Sequence, residues 1–359
     1  MVSVSREPQV KNDKRRVRQE EPREGAQPVA RLQYDSRLGH RYVADLDLWL
    51  PRPGGGLYHF VTNAAGIRAT REYARKNPDG KTRIVLCGDS MSAGQFLSND
   101  ERLCEQLERR IEGIEVIDLS LEGSGTDQQL LLYEEVGLKY EHDLVILMPF
   151  LSNIRRNMAE ARLAIDAENG KPVLRPKPRF ELDGEKLRLL EGSVARETFF
   201  CEGREAKGVE RTPLFFGLSR ARINALPGVG FLKKAVYATF PWEPFPEYRK
   251  AASPAWKLME AIIRRFKKSA GERPLVVAPT FYDSYVRYRM ARNYWKRFAS
   301  LGRVAGIEAI DLLPYFRKLG ASASGCFQLP YDMHFSAFGH LVAAEALANE
   351  LKWRGLLRQ

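Results

Sequence analysis

No run of apolar residues in this chain reaches the roughly 18 that a membrane-spanning helix needs, which excludes a span of that kind. The opening stretch, MVSVSREPQVKNDKRRVRQEEPREG, has no apolar core of the secretory type, so a cytoplasmic chain is expected. Cysteine is scarce: four in 359 residues, at Cys87, Cys104, Cys201 and Cys326, with no C-x-x-C pair. Free thiols are expected rather than a disulfide framework, zinc has no ligand spacing to use, and no cofactor is predicted. The glycine-rich stretch GSGTDQQ lacks the lysine of a phosphate-binding loop. No internal repeat is visible.

What the chain does have is apolar residues for a large core, 44% of the total, and a net charge of +12. Much of the charge lies between Arg264 and Arg303, where eleven Lys/Arg face only Glu272 and Asp283. Interleaved aromatics (YVRYRMARNYWKRF) would allow an anionic polymer to bind there. The spacing of Val286, Met290 and Tyr294, and of Tyr288, Ala291 and Trp295, predicts instead an amphipathic helix with a solvated basic face. No nucleic-acid motif accompanies it, which argues against nucleic acid as partner.

Residues 1–30 mix charged residues, Gln and Pro with little that is apolar, and read as a disordered tail. Residues 31–79 hold short β-type pieces broken by PRPGGG, an N-terminal β-rich accessory segment. From residue 80 to 353 the pattern alternates. Strands are predicted at RIVLCG, IEVIDLS, DLVILMPF, PLVVAPT and IEAIDLLP. Helices fall at DERLCEQLERRI, TDQQLLLYEEVGLKY, WKLMEAIIRRFKK, ARNYWKRFASLG and AFGHLVAAEALANELKW. Apolar, β-branched strands alternating with helices predict an α/β fold, its parallel sheet covered on both faces. Residues 155–250 interrupt the rhythm. They hold a predicted hairpin around Asp183-Gly184, and so long an excursion suggests a cap or specificity element.

Ligands of open parallel sheets bind beyond the carboxyl ends of the strands. The first strand delivers Gly88-Asp89-Ser90 there, the second Gly123, the third Asn153, and the last is followed by Asp332 and His334. Serine needs a base within hydrogen-bond reach, and histidine is one near neutral pH. A carboxylate two residues from the histidine can hold its tautomer. The backbone N–H groups of Ser90 and Gly123 and the Asn153 amide can hold an oxyanion. Asp89 is expected to hold the turn, and Ser92 to start a helix. His340 lies within a helical pattern behind an N-cap, Ser336, so Asp332, His334 and His340 are not read as metal ligands. Arg155 and Arg156, beside Asn153, are candidates for gripping an anionic substrate group.

On these residues the chain resembles the SGNH (GDSL) hydrolase family from about Thr62 to Trp353. Ser90 in GDS matches its nucleophile block, Gly123 its second block, Asn153 its third, and Asp332 with His334 its last. TNAAGIR, at residues 62–68, resembles a segment preceding GDS in a bacterial branch of the family. The third block departs from the pattern G-x-N-D, with Leu151 and Ile154 in the Gly and Asp places, and the last is D-x-H. The resemblance implies a three-layer α/β/α sandwich with a five-stranded, mostly parallel, flavodoxin-like sheet. It also implies a serine esterase acting through an acyl-enzyme on Ser90. The expected substrate is an ester of a short acyl group on a small molecule or carbohydrate. O-acyl transfer from the same site, or non-catalytic binding of an anionic polymer, remain alternatives at this point.

Overall fold

The computed structural model describes residues 17–19, 30–77, 80–165, 172–190, 192, 194–196, 198–199, 209–210 and 241–357. The predicted tail lies mostly outside these residues, as do Cys201 and much of the 155–250 insertion. Within the expected tail, β1 (Val17–Gln19) is a strand, parallel to β4 below. Hairpins follow: β2 (Leu32–Asp35) with β3 (Gly39–Tyr42), and β4 (Leu46–Pro51) with β5 (Leu57–Val61).

The central sheet contains β6 (Thr82–Gly88), β7 (Ile114–Asp118) and β8 (Leu144–Met148). Every residue of β6 and β8 is buried, as continuous apolar runs must be when helices cover both faces. From the insertion, β9 (Ala161–Ile165), β10 (Pro172–Pro176), β13 (Thr198–Phe199) and β14 (Val209–Glu210) form a separate sheet in the order β13-β10-β9-β14. The predicted hairpin is β11 (Phe180–Asp183) with β12 (Lys186–Leu189). Its turn places Gly184 at φ +61°, a conformation that suits glycine at the first corner of a type II′ turn. The central sheet is completed by β15 (Leu275–Val277) and β16 (Glu308–Ala309), so IEAIDLLP contributes only a two-residue strand. Its order is β16-β15-β8-β6-β7 and every neighbouring pair is parallel, the flavodoxin-like arrangement expected.

Among the described residues the helices are α1 (Ser90–Ala93), α2 (Leu103–Arg110), α3 (Thr126–Glu135), α4 (Asn153–Arg156), α5 (Pro254–Ala270), α6 (Asp283–Arg287), α7 (Asn293–Ala305), α8 (Leu313–Lys318) and α9 (Ala337–Trp353). The long α5 starts with proline at its first position and buries Leu258, Met259, Ile262, Ile263 and Phe266, a stripe at helical spacing. It packs on α3, while α2 packs on α9, giving an α/β/α sandwich. Among the described residues, no helix is long and apolar enough to cross a membrane.

The basic stretch is not the single amphipathic helix its spacing suggests. It splits into α6 and α7, with residues 288–292 between them. Arg317 donates to Tyr285 O at 3.1 and 2.7 Å and to Tyr288 O at 3.2 Å, capturing carbonyls a continuing helix would use. Ala291 N donates instead to Trp242 O at 2.9 Å. Arg292 pairs with Asp311 and Arg287 with Asp283, so part of the basic face is neutralised locally.

Helix α9 begins where Ser336 Oγ accepts from Gly339 N at 3.1 Å. A Cβ on Gly339 would run into Cys326 O, so only glycine lets the helix pack there. One residue on, His340 Nδ1 accepts from Leu103 N at 2.9 Å, satisfying an N–H of the first turn of α2. Burial, with the nearby charges of Arg102, Arg68 and His334, lowers the His340 pKa from 6.5 to about 3. Between those values the folded state binds fewer protons than the unfolded one. The contribution of His340 to stability is therefore complete above pH 6.5 and is lost as pH falls toward 3. His340→Asn keeps an acceptor but removes the titration. The stability gap between wild type and this variant, measured by urea unfolding, is expected to narrow by more than about 1 kcal/mol from pH 7.5 to pH 4.5. A gap independent of pH would refute the account.

Candidate active site

Strand β6 ends at Gly88, where a side chain would collide with Ser92 Oγ and approach Met148 O to 3.2 Å. The chain then turns into α1. Asp89 caps that helix, its Oδ1 accepting from Met91 N at 2.9 Å, so Ser90 stands at the helix start. Ser92 Oγ donates to Asp89 O at 3.1 Å, a structural contact inside the same turn.

The loop after β7 rises beside this turn. Leu121 N donates to Gly88 O at 3.0 Å and Ser124 Oγ to the same carbonyl at 3.2 Å. Gly123 follows with φ +77°, and a Cβ there would lie 2.8 Å from Arg162 Nη1. Arg162, from the insertion, donates to Gly123 O and fixes the direction of this peptide. Among the described residues, neither the Ser90 N–H nor the Gly123 N–H has a hydrogen-bond acceptor. Asn153, after β8, is fully buried, its Nδ2 only 3.5 Å from Thr126 Oγ1.

Across the sequence, the loop leading into α9 brings His334 Nε2 to 2.7 Å from Ser90 Oγ. Asp332 Oδ1 accepts from both His334 Nδ1 and His334 N, the latter at 2.8 Å. Directing Nδ1–H at a carboxylate leaves Nε2 as the acceptor facing the hydroxyl. Burial works to raise the Asp332 pKa, but the hydrogen bonds and charge of His334, with the Met333 backbone, outweigh it. The carboxyl is held below its usual range and stays ionised beside the imidazole. Ser90 itself is nearly buried, 7% exposed.

Arg155 and Arg156 do not stand free for a substrate anion. Arg155 pairs with Glu247 at 2.6 Å, donates to Pro244 O at 3.0 Å and covers the Phe245 ring. The Arg156 side chain is buried, and its Nη1 lies 2.6 Å from Asp89 Oδ2, 3.1 Å from Asn153 Oδ1 and 3.2 Å from Ser124 O. One nitrogen thus ties together the turns carrying Ser90, Asn153 and the Gly123 loop. Holding Asn153 by its oxygen leaves Nδ2 as the end that can donate. Beside Asn153 this arginine is a charged anchor that spacing alone gave no reason to assign.

Two further residues support the site and were not singled out from the sequence. Arg68, in TNAAGIR, is 1% exposed and lies over the Phe60 ring. It donates to Ala93 O at 2.7 Å, Gly94 O at 2.9 Å and Leu97 O, the carbonyls ending the turn that carries Ser90. Gln328 bridges that turn to the histidine loop. The TNAAGIR resemblance by itself assigns Arg68 no role, and no local signal marks Gln328.

No protein-family model matches the sequence, and no curated protein matches it. Among solved structures, the chain is similar to a lipase/acylhydrolase from Enterococcus faecalis, at 18% identity and a TM-score of 0.40, over 77% of this chain and 97% of that one. It is also similar to a lipolytic protein of the G-D-S-L family from Veillonella parvula, at 10% identity and a TM-score of 0.41, over 76% and 98%. A catalytic mutant of Axe2, an acetylxylan esterase from Geobacillus stearothermophilus, gives 11% identity and a TM-score of 0.41, over 77% and 96%. At these values the reading of function rests on the residues and distances above.

Proposed function

We propose that the chain is a serine esterase of the SGNH type, hydrolysing an ester of a short acyl group on a small molecule or carbohydrate. The observation that carries this reading is the line Ser90 Oγ to His334 Nε2 at 2.7 Å, with His334 Nδ1 bonded to an ionised Asp332. Ser90 Oγ attacks the acyl carbonyl as its proton passes to Nε2, and Asp332 stabilises the imidazolium that forms. The oxyanion is received by the N–H groups of Ser90 and Gly123 and by Asn153 Nδ2. Collapse expels the alcohol, which takes the proton from Nε2, and leaves an ester on Ser90. Water then attacks that ester, giving its proton to Nε2, and the acid departs as Ser90 regains its hydrogen.

Arg156 belongs in this scheme to the protein side of the oxyanion site, not to the substrate. The described part of the insertion is tied down beside the site by the bonds from Arg162 to Gly123 and from the buried Lys177 to Asp127.

A fluorophosphonate probe is expected to label the native protein in a single step, with mass spectrometry placing the adduct on Ser90. Short p-nitrophenyl esters should be turned over. A protein that is folded, unlabelled and inert toward these esters would overturn the assignment.

A further inference from the structure

Ser90 and His334 lie 244 residues apart in sequence, yet their side chains must stay within hydrogen-bond distance for the proton to move. Neither residue sets that distance by itself. Ser90 rides on a turn that ends in strained backbone. Phe96 has φ +61°, a left-handed conformation that a bulky residue keeps only when its surroundings impose it. His334 rides on a loop closed by backbone pairing between Phe327 and Phe335.

Gln328 joins the two. Its single side-chain nitrogen donates to Gln95 O at 2.7 Å on the nucleophile side and to Phe335 O at 2.8 Å on the base side. Gln95 N is in turn bonded to Ser90 O at 3.2 Å, so that contact reaches the nucleophile's own backbone. The main chain of Gln328 completes the circuit. Its N–H donates to His334 O at 2.9 Å, and its carbonyl accepts from Asp332 N and Tyr331 N, each at 3.1 Å. One residue therefore touches the backbone of both Asp332 and His334 and, through Gln95, the turn of Ser90.

On this basis, and resting on the esterase reading above, we infer that Gln328 is a positioning residue that sets the Ser90–His334 distance. The chemistry explains the residue type. A primary amide offers two N–H bonds from one atom in diverging directions without burying a charge, on a side chain long enough to span the two loops. Methionine matches its length and offers no donor. An ionised glutamate would set a carboxylate against two carbonyl oxygens. Protonated glutamate restores one donor of the two. The titratable groups sharing this loop are Tyr331, Asp332 and His334, and Arg68 is the charge held against the Gln95 turn.

Gln328→Met is expected to lower kcat for p-nitrophenyl acetate by on the order of 10- to 100-fold, since a displacement of an ångström at a reacting pair has that effect. KM should stay within about twofold, because no substrate contact is removed. Fluorophosphonate labelling should slow in parallel with kcat. For Gln328→Glu, the rate relative to wild type should rise as pH is lowered from 8 to 5.5. A purely structural defect would leave that ratio flat. If the wild type does not label at all, the esterase reading fails. If the wild type labels and both variants match its labelling rate and kcat, the role given to Gln328 is wrong. A ratio flat with pH for a folded Gln328→Glu of reduced activity would equally overturn it.

Discussion

Ser90→Ala is expected to abolish fluorophosphonate labelling and to lower kcat for p-nitrophenyl esters by at least on the order of 10³-fold. The substitution deletes one oxygen from a nearly buried position on α1 and leaves the backbone N–H that would receive the oxyanion. Any residual rate should come from water attacking an ester still held by the remaining donors. Folding should be unaffected, because the hydroxyl's bond is to His334 Nε2, which can take a water instead. Equal thermal melts for the two proteins would establish this. Residues acting as one unit are not additive, so Ser90→Ala combined with His334→Ala should be little slower than either alone. Retention of more than a tenth of wild-type kcat by a homogeneous Ser90→Ala preparation would end the assignment of this serine as nucleophile.

Arg156→Met is expected to give the largest loss of stability. Asp89 is fully buried, the Arg156 side chain is 7% exposed, and the two are 2.6 Å apart. Removing the arginine strands a carboxylate in the interior, which costs about 3–5 kcal/mol for buried pairs of this kind. The released Asn153 oxygen also lets the amide proposed to receive the oxyanion turn, so kcat should fall in whatever fraction remains folded. Asp89→Asn with Arg156→Met should recover much of the stability, since no charge is then left unpaired, but not the activity. Arg156→Lys keeps a cation with several donors on one atom and should lose less of both. Urea unfolding with kcat measured on the same samples separates the two effects. If Arg156→Met is as stable as wild type, the ion pair is not the anchor described.

These expectations differ in how much of them a reader of the sequence could have reached. The strands, the sheet's burial and the residues at its carboxyl edge were legible, while the order of the strands was implied only by the family resemblance. Strands buried on both faces must be written as unbroken apolar runs, and catalysis demands particular side-chain types at the ends of those runs. Ser90, Gly123, Asn153, Asp332 and His334 carry that signal locally, each beside its own strand or helix start. The roles of Arg155 and Arg156 were not legible. A guanidinium near a site looks the same in sequence whether it meets substrate or protein. Only the fold brought Glu247 to the first and, from 67 residues away, Asp89 to the second. The basic stretch failed in the opposite direction, its helical spacing overruled by Arg317 taking the carbonyls at the end of α6.

The sequence by itself therefore determined the chemical inventory of the site and the α/β frame that carries it, because both are written in short-range patterns of residue type. The tertiary structure alone decided what holds that inventory in place. Arg68 against the Ser90 turn, Arg156 among three turns, and Gln328 bonding across 233 residues to Gln95 are contacts between segments with no common period. Their meaning lies in distances that exist only once the sheet has folded and its carboxyl edge has been assembled.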